Sequence, residues 1–424
     1  MLIFVEQISN RLNYVFQFVF KERNVYYQFT NDKKEFENYQ GIKFVYASRS
    51  IEDNFHIESS SLLFDEQIKN YSIEKSDFHH FSCLSFDNIS DPFASIFFVL
   101  SRYEEYLIKT RDVHGRFMAK ESYQYKYSWL QQCICDRWSE NILELINLKI
   151  SPFYQKKETN VKLIPTFDID NTFAFQWKNI FRSFLSKWKD IIKKEDDRIV
   201  ARKWFEEGKI KDPYDTFDLI QSVQKKMETI VFWHVGKYGP YDKNISILDP
   251  RHQTLIKSMS AFGEIGIHPS YRSSENFAHL TNEVFSLQQI LQKKITLSRQ
   301  HFLKLSIPST YRYLMEQGIA HDYSMGFADE VGFRIGTAKS IPFFDLIENK
   351  QKEFWIHPFA YMDGTLLEYK NWSTEEAKKQ ITFLYKEVKE LGGDFIFIWH
   401  NETIGDFGKW KGWSEVLKHS LQLN

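Results

Sequence analysis

Acidic, imidazole and guanidinium side chains occur where several short apolar runs of the sequence end. Asp168 and Asp170 close the first such run, and because they are two residues apart, their carboxylates project to the same side of an extended backbone. Two neighbouring carboxylates repel each other unless a cation lies beside them, and Asp with His suits Zn²⁺ and related divalent ions. These residues predict metal-assisted chemistry, and the alternative is a helix N-cap before residues 171–177. The other runs end in His268, Arg299 with His301, His357 and His400.

The apolar runs have the length and composition of strands. Helical segments separate them, and the clearest is 373–391, where Ser373 and Glu376 form a capping-box pattern. This alternation predicts an α/β fold with a parallel sheet, best fitted by a parallel β/α barrel. All strand C-termini of such a barrel open onto one face, so the polar residues are expected to converge there. The runs cover residues 161–168, 229–235, 263–268, 294–299, 354–357 and 394–400.

A change of pattern near residue 155 predicts two domains. Residues 151–160 combine a proline with a charged polar run, which is typical of an exposed boundary. The N-terminal part, 1–155, mixes short aromatic runs with helix-like stretches and is predicted to be a smaller α/β or α+β domain. The strand-helix alternation and all the candidate site residues fall in 156–424.

The composition limits the partners. The 424 residues contain 55 Lys and Arg against 56 Asp and Glu, a formal charge of −1, and no basic patch, so nucleic acid is not expected as a partner. The apolar stretch 97–100 is far shorter than the ~20 residues that a transmembrane helix needs. The N-terminus lacks a basic leader and contains Glu6 within its first apolar stretch, which predicts a cytoplasmic protein.

Other polar residues receive structural interpretations. His234 lies inside a strand-like run and is predicted in the core or behind the site. Arg102, Glu104 and Glu105 are predicted to form a solvated helix face. Three cysteines are too few for a disulfide framework or a four-thiolate zinc site, so they are predicted to be buried free thiols. They are Cys83, Cys133 and Cys135.

Three segments resemble, in order and spacing, the motifs of the NodB-homology polysaccharide deacetylases, carbohydrate esterase family 4. Residues 166–170 (TFDID) resemble the first motif in its Asp-x-Asp form, and 263–271 (GEIGIHPSY) resemble the second. Residues 397–400 (FIWH) resemble the closing hydrophobic-x-His motif. The resemblance covers roughly residue 161 to the C-terminus. The stretch 322–336 further resembles a divergent bacterial subgroup in which an additional N-terminal domain precedes the barrel.

The resemblance implies a distorted parallel (β/α) barrel of about seven strands and a metal-dependent hydrolase that removes acetyl groups from glycans. By motif position, Asp168 is the general base and His400 the general acid, while Asp170 and His268 bind the metal. Arg299 lies where the third motif places an arginine that orients the catalytic aspartate. The implied cofactor is one divalent metal ion, with Zn²⁺ favoured, and the implied partner is an acetylated sugar or glycan.

Two features depart from the family's pattern. Arg272 stands where the second motif usually has another metal-binding histidine, and a guanidinium does not bind a cation. His301 lies two residues after Arg299 and is predicted to be the replacement ligand, with His357 as the alternative. The aspartate that tunes the acid histidine has no clean match, which leaves three residues open. They are Asp322, Asp329 and Glu330.

Three functional hypotheses follow. The first is a metal-dependent deacetylase of an acetylated sugar or glycan intermediate, which is a hydrolase of a non-peptide C–N bond when the acetyl group is on nitrogen. The second is hydrolysis of another non-peptide C–N bond, since the same apparatus serves any amide-like carbonyl. The third is a glycan-binding protein that has lost catalysis along with the second-motif histidine, and the 17% aromatic content is compatible with it.

Overall fold

The computed structural model describes residues 1–51, 53–178, 196–274 and 276–423, and it shows a mixed α/β protein. The strands of these residues are β1 (Leu2–Val5), β2 (Gln28–Thr30), β3 (Lys43–Ala47), β4 (His56–Glu58), β5 (Ile73–Phe78), β6 (Phe81–Phe86), β7 (Ile89–Ser90), β8 (Val161–Ile169), β9 (Ile230–His234), β10 (Glu264–His268), β11 (Leu297–Ser298), β12 (His321–Met325), β13 (Ile341–Asp345), β14 (Lys350–Pro358), β15 (Tyr361–Met362) and β16 (Gly393–His400).

The described α-helices pack around these strands. They are α1 (Asn10–Phe20), α2 (Lys33–Asn38), α3 (Pro92–Leu100), α4 (Tyr103–Leu107), α5 (Tyr123–Lys126), α6 (Ile134–Lys149), α7 (Asp196–Glu206), α8 (Phe217–Gln224), α9 (Pro250–Ser260), α10 (Phe277–Leu291), α11 (Ser309–Glu316), α12 (Thr374–Leu391) and α13 (Ser414–Leu421). Within the described ranges, no helix is both long and apolar enough to cross a membrane.

The largest sheet has nine strands in the order β13-β14-β12-β11-β10-β9-β8-β16-β15. Every neighbouring pair is parallel except β13 with β14, which is antiparallel. The prediction of a parallel α/β sheet is thus confirmed, but the sheet differs from a parallel barrel of about seven strands in its count and in this antiparallel edge. A short return between β13 and β14 explains that edge, because consecutive strands joined by a few residues pair antiparallel.

The N-terminal part contains two smaller sheets. Strands β2, β1, β3 and β4 form a parallel sheet in that order, and β5, β6 and β7 form an antiparallel one. Aromatic residues join this part to the large sheet. The ring of Phe344 on β13 lies 5.1 Å from the ring centres of both Tyr14 on α1 and Phe97 on α3.

The predicted capped helix is present as α12. The Ser373 side chain accepts a hydrogen bond from the Glu376 backbone N–H, and the Glu376 side chain accepts one from the Ser373 N–H. One face of α12 is buried, including Ile381 and Leu384. The helix ends at Gly392, whose φ of +83° is a left-handed conformation that glycine adopts without strain. β16 then begins at the next residue.

The predicted solvated face around Arg102 is wrong. Arg102, Glu104 and Glu105 are buried, and with Arg334 they form an ion-pair cluster between α4 and the C-terminal part, here called the interface cluster. The Arg334 guanidinium contacts both Glu105 carboxylate oxygens at 2.7 and 2.8 Å. Such a partner, more than 200 residues away, leaves no trace in the local charge pattern. The cysteines, as predicted, are buried free thiols.

Candidate active site

The polar ends of the central strands meet at one edge of the large sheet. Asp168 on β8 is in register with His400 on β16, and His268 on β10 is in register with His234 on β9. These ends surround a cavity of about 190 Å³. Five of the predicted site residues line it, namely Asp168, Asp170, His268, His301 and His400. The sixth, Arg299, is buried beside it. No helix follows Asp170 over residues 171–177, so the helix-cap alternative is wrong.

Asp170, His268 and His301 bring their donor atoms together. His268 Nε2 lies 3.0 Å from Asp170 Oδ1, and His301 Nε2 lies 3.2 Å from Asp170 Oδ2. The three donor atoms lie within 4.8 Å of one another. His301, the predicted replacement for the absent second-motif histidine, is therefore beside the other two candidate ligands.

The hydrogen bonds behind the two imidazoles determine which nitrogen carries the proton. His268 Nδ1 lies 2.6 Å from the Arg299 carbonyl oxygen, which can only accept, so Nδ1 donates. His301 Nδ1 likewise donates to Asp242 Oδ1 at 3.1 Å. In the neutral rings, both Nε2 atoms then carry lone pairs that face the oxygens of Asp170. An imidazole acceptor that faces a carboxylate oxygen needs a cation or an extra proton between the two atoms, and Asp170 faces one such acceptor at each oxygen.

Asp170 shows the same requirement. Its Oδ1 is buried and receives no hydrogen bond of acceptable geometry, although His268 Nε2 is only 3.0 Å away. Burial raises the pKa of Asp170, but the charge and hydrogen bond of His301 and the charge of His268 outweigh burial and place this pKa well below its ordinary value. Burial lowers the pKa of His301, but Asp170 and Asp242 outweigh it and raise this pKa to about 9. The site therefore favours positive charge between these groups.

His234 lies behind the site, as interpreted from the sequence. It is buried, and its Nδ1 donates to the His268 carbonyl oxygen at 3.1 Å. Its Nε2 has no hydrogen-bond partner and lies 3.6 Å from Asp242 Oδ1. Burial lowers the pKa of His234 to about 3, which keeps the ring neutral. Its fixed hydrogen bond supports the strand end that carries His268.

Asp168 is held by Arg299, as the motif resemblance implies. Arg299 Nη1 donates to Asp168 Oδ1 at 3.0 Å and to Thr166 Oγ1 at 2.6 Å, and Arg299 Nε donates to the Tyr323 carbonyl oxygen. Both charged side chains are buried. Asp168 Oδ2 remains free of hydrogen bonds from the described residues and lies 3.9 Å from His268 Nε2. One carboxylate oxygen is thus anchored while the other faces the cavity.

Asp363 holds His400, and none of the residues predicted for that role does. Asp363 Oδ1 lies 2.8 Å from His400 Nδ1, and Asp363 Oδ2 accepts the His400 backbone N–H at 2.8 Å. Burial lowers the pKa of His400, but the charge and hydrogen bond of Asp363 outweigh it, so this pKa lies well above its ordinary value. The imidazolium that results can donate a proton from Nε2.

The residues proposed for that role have other partners. Asp322 accepts hydrogen bonds from Ser298 and Ser324, and Glu330 pairs with Lys370. Asp329 lies at the long distance of 3.5 Å from the Ala119 backbone N–H. All three predictions for the residue that tunes His400 are therefore wrong.

His357 and Arg272 do not contribute to the cavity. His357 lies between His321 Nδ1, at 2.9 Å, and Ser340 Oγ, at 2.7 Å, so the alternative to His301 as third ligand is wrong. Arg272 is exposed and is absent from the cavity lining.

Sequence reasoning missed four residues around the cavity. Asp363 follows the two-residue strand β15, which is too short to give an apolar run, and Asp242 lies in a loop after β9. Glu402 lines the cavity, and its position two residues after the closing motif that ends in His400 is a signal that could have identified it. Arg116 comes from the N-terminal part, far from every motif.

Comparisons with known proteins give a family match over the N-terminal part and several similar solved structures. Residues 1–151 match a family of unknown function, DUF7033. No curated protein matches the chain. Among solved structures, a protein from Mycobacterium smegmatis named as a polysaccharide deacetylase is similar at 12% identity and a TM-score of 0.41, over 64% of this chain and 87% of that chain.

Two further neighbours carry related names. The family 4 carbohydrate esterase from Streptomyces lividans, solved with acetate, is similar at 10% identity and a TM-score of 0.30, over 62% of this chain and 91% of that one. A polysaccharide deacetylase from Bacillus cereus is similar at 12% identity and a TM-score of 0.30, over 62% and 86%. At such identities and TM-scores, the chemistry of the chain has to be derived from its own side chains.

Proposed function

We propose that this chain is a metal-dependent hydrolase that removes an acetyl group from an acetylated sugar or glycan intermediate. The observation that carries the proposal is the environment of Asp170, whose two oxygens each face an imidazole nitrogen that lacks a proton in the neutral ring. Such a set of one carboxylate and two imidazoles suits a divalent cation, and Zn²⁺ in particular. Asp170, His268 and His301 would hold it.

A cation bound there would polarise the acetyl carbonyl and assist the attack of water. Asp168 takes a proton from the attacking water with the Oδ2 that faces the cavity. Arg299 orients this carboxylate, because its Nη1 donates a hydrogen bond to Oδ1 at 3.0 Å.

His400 gives its Nε2 proton to the departing amine or alkoxide, and Asp363 keeps the ring charged and oriented for that step. Asp168 and His400 are register partners on adjacent strands, and both line the same small cavity, so the proposed base and acid can act on one bound substrate.

The substrate class rests on the resemblance of residues 166–170, 263–271 and 397–400 to the deacetylase motifs. The walls of the cavity fit a sugar ring, since Tyr369 and Trp410 line it beside polar groups. For a chain that acts in the cytoplasm, the substrate would be a nucleotide-linked, lipid-linked or oligosaccharide intermediate of surface-glycan synthesis. The catalytic residues named here all lie in the proposed domain 156–424.

The test is acetate release by the metal-loaded full chain from a panel of N- and O-acetylated sugars, with metal content measured on protein purified without chelator. We expect one divalent ion per chain, acetate release, and a loss of ~10²- to 10⁴-fold in turnover for Asp168→Asn and His400→Ala. Metal binding should survive in His400→Ala. Hydrolysis of cyclic amides without acetate release would make the chain a different C–N hydrolase. Sugar binding with neither metal nor turnover would make it a glycan-binding protein.

A further inference from the structure

A loop of the N-terminal part reaches the catalytic cavity. This loop, Asp112–Arg116, follows α4 and is closed by hydrogen bonds from the Asp112 N–H to the Arg116 carbonyl oxygen and from the Gly115 N–H to the Asp112 carbonyl oxygen. Asp112 Oδ1 also accepts the backbone N–H groups of His114 and Arg116. The Arg116 side chain lines the cavity together with the candidate ligands. The loop is thus held in shape by its own bonds.

The turn that carries His301 has an unusual backbone. Residues His301–Leu303 form a short turn directly after β11, and Phe302 and Leu303 have φ values of +59° and +52°. L side chains rarely adopt this left-handed region, and two consecutive residues there are strained unless neighbouring groups hold them. Hydrogen bonds from Leu303 N–H to the Gln300 oxygen and from Lys304 N–H to the His301 oxygen close the turn.

Arg116 and His114 are the groups that hold this turn from outside. Arg116 Nη1 donates to the Phe302 carbonyl oxygen at 3.1 Å, Nη2 donates to the Tyr369 hydroxyl at 3.0 Å, and Nε donates to Asp112. The His114 ring lies 5.0 Å from the Phe302 ring, and its Nδ1 lies 3.2 Å from the Tyr271 hydroxyl.

These contacts tie together three segments around the cavity, of which Phe302 and Tyr369 line it. Tyr271 follows β10, Phe302 follows β11 and Tyr369 follows β15, so the loop joins the ends of three strands. A loop that served only to cover the surface would not need a guanidinium shared between two walls of one cavity.

We propose that the Asp112–Arg116 loop makes the N-terminal part a component of the catalytic site, with Arg116 as the positioning residue that holds the His301–Leu303 turn and so places the His301 imidazole beside Asp170 and His268. The part of this inference that concerns metal binding rests on the proposed function. The part that concerns the shape of the turn does not.

The experiment compares Arg116→Ala with Arg111→Ala in the full chain. Arg111 is a matched control, because its hydrogen bonds go to carbonyl oxygens of residues 105–110 and not to the cavity wall. The first readout is amide hydrogen exchange over residues 299–305 in metal-free protein. The second is Co²⁺ affinity, followed by its visible absorption. Thermal unfolding confirms that each variant folds.

Arg116→Ala should exchange faster over 299–305 and bind Co²⁺ ~10- to 100-fold more weakly, which is the usual effect of losing a group that orients a metal ligand. Arg111→Ala should match the wild type in both. His114→Ala removes the ring contact from a partly exposed position and should change both readouts in the same direction by less, and it replaces Arg116→Ala if that variant does not fold. Unchanged exchange, or faster exchange with unchanged Co²⁺ affinity, overturns the inference.

His301→Ala separates the two proposals. If this variant binds Co²⁺ as the wild type does, the proposed metal site is wrong, whatever Arg116→Ala does. If His301→Ala weakens Co²⁺ binding and Arg116→Ala leaves both readouts unchanged, the proposed function stands and the inference about the N-terminal loop is wrong.

Discussion

Two buried groups of charged side chains in this protein are built differently. The interface cluster has two arginines and two glutamates, and each carboxylate lies 2.7 Å from a guanidinium nitrogen. The site cluster, defined here as Asp168, Asp170, His268, Arg299 and His301, has two carboxylates and one arginine. Of the two carboxylates, that arginine pairs with Asp168. The site cluster also faces a cavity. A balanced cluster is suited to hold parts of a fold together, while an unbalanced one is suited to bind a cation.

The largest effect is expected from removing the Asp170 carboxylate, which faces two imidazoles. Asp170→Asn should abolish stoichiometric metal binding and lower turnover by ~10³-fold or more, since the bound ion supplies several kcal/mol of transition-state stabilisation. The thermal stability of the metal-free protein should fall, because the lowered pKa of Asp170 means that the folded state favours this carboxylate in its charged form. Metal analysis, acetate release and calorimetry measure these. Asp394→Asn, at the opposite end of β16, is the control and should keep the metal; retention of metal by Asp170→Asn contradicts the assignment.

For the interface cluster, we expect a substitution to lower stability and to leave metal binding intact. Glu105→Gln leaves Arg102 and Arg334 without a shared counter-charge, so the free energy of unfolding should fall by about 3–5 kcal/mol. Metal content per folded chain should stay at the wild-type value, because Glu105 is not among the residues that line the cavity. Urea unfolding and metal analysis decide this. A loss of metal with little loss of stability would reverse the roles of the two clusters.

Acid sharpens the same comparison. Burial raises the pKa of Glu105, but Arg334 and Arg102 outweigh it and lower this pKa to about 2, against an ordinary value of 4.5. A carboxylate with a lowered folded-state pKa contributes stability above its unfolded value, and the contribution is lost as the pH falls. The difference in unfolding free energy between wild type and Glu105→Gln should therefore be constant above about pH 5 and shrink from there towards pH 2. A difference that stays constant down to pH 2 would show that the charge of the Glu105 carboxylate is not the source of the stability.

A smaller effect is expected from the carboxylate that holds His400. Asp363→Asn removes a negative charge, which lowers the pKa of His400 and leaves the acid deprotonated at lower pH. The alkaline limb of the pH–kcat profile should move down by ~1 to 3 pH units, the usual effect of one close opposite charge. Glu330→Gln should leave this limb in place. Glu330 is one of the three residues that the sequence suggested for tuning His400. The same shift in both variants would argue against Asp363.

The smallest effect is expected at the residue that replaces the family's histidine. Arg272 is exposed, and Arg272→Ala should change turnover and metal affinity by no more than roughly twofold, as surface substitutions usually do. A large loss of metal affinity would show that the exposed guanidinium reaches the site in the working enzyme.

The sequence identified the candidate site better than the complete sheet. Asp168, His268 and His400 end long apolar strands, and strand ends of a parallel sheet share one edge, so periodicity alone predicts that they meet. Strands β12, β13 and β15 were not predicted. β12 reads HDYSM, with too few apolar residues for a strand pattern, and β15 has two residues.

The partners that tune the site were also beyond the sequence. Asp363 depends on the short strand β15, and Asp242 depends on where a loop places its carboxylate against His301. The same limit explains the wrong interpretation of Glu105, whose partner Arg334 is distant in the chain. Local patterns report which residues are polar, and only the packed structure reports which of them face each other.

The register of β8 with β16 has a consequence for biosynthesis. Residues 168 and 400 are paired neighbours in the sheet, yet they are 232 positions apart in the chain. A ribosome that adds about 5 to 20 residues per second needs roughly 10 to 50 s to make the intervening segment. During that time β8, the strand that carries Asp168, lacks β16, which is one of its two neighbours in the sheet. The proposed base is therefore made long before the proposed acid, and the nascent chain cannot pair the two until the last strand of the sheet leaves the ribosome.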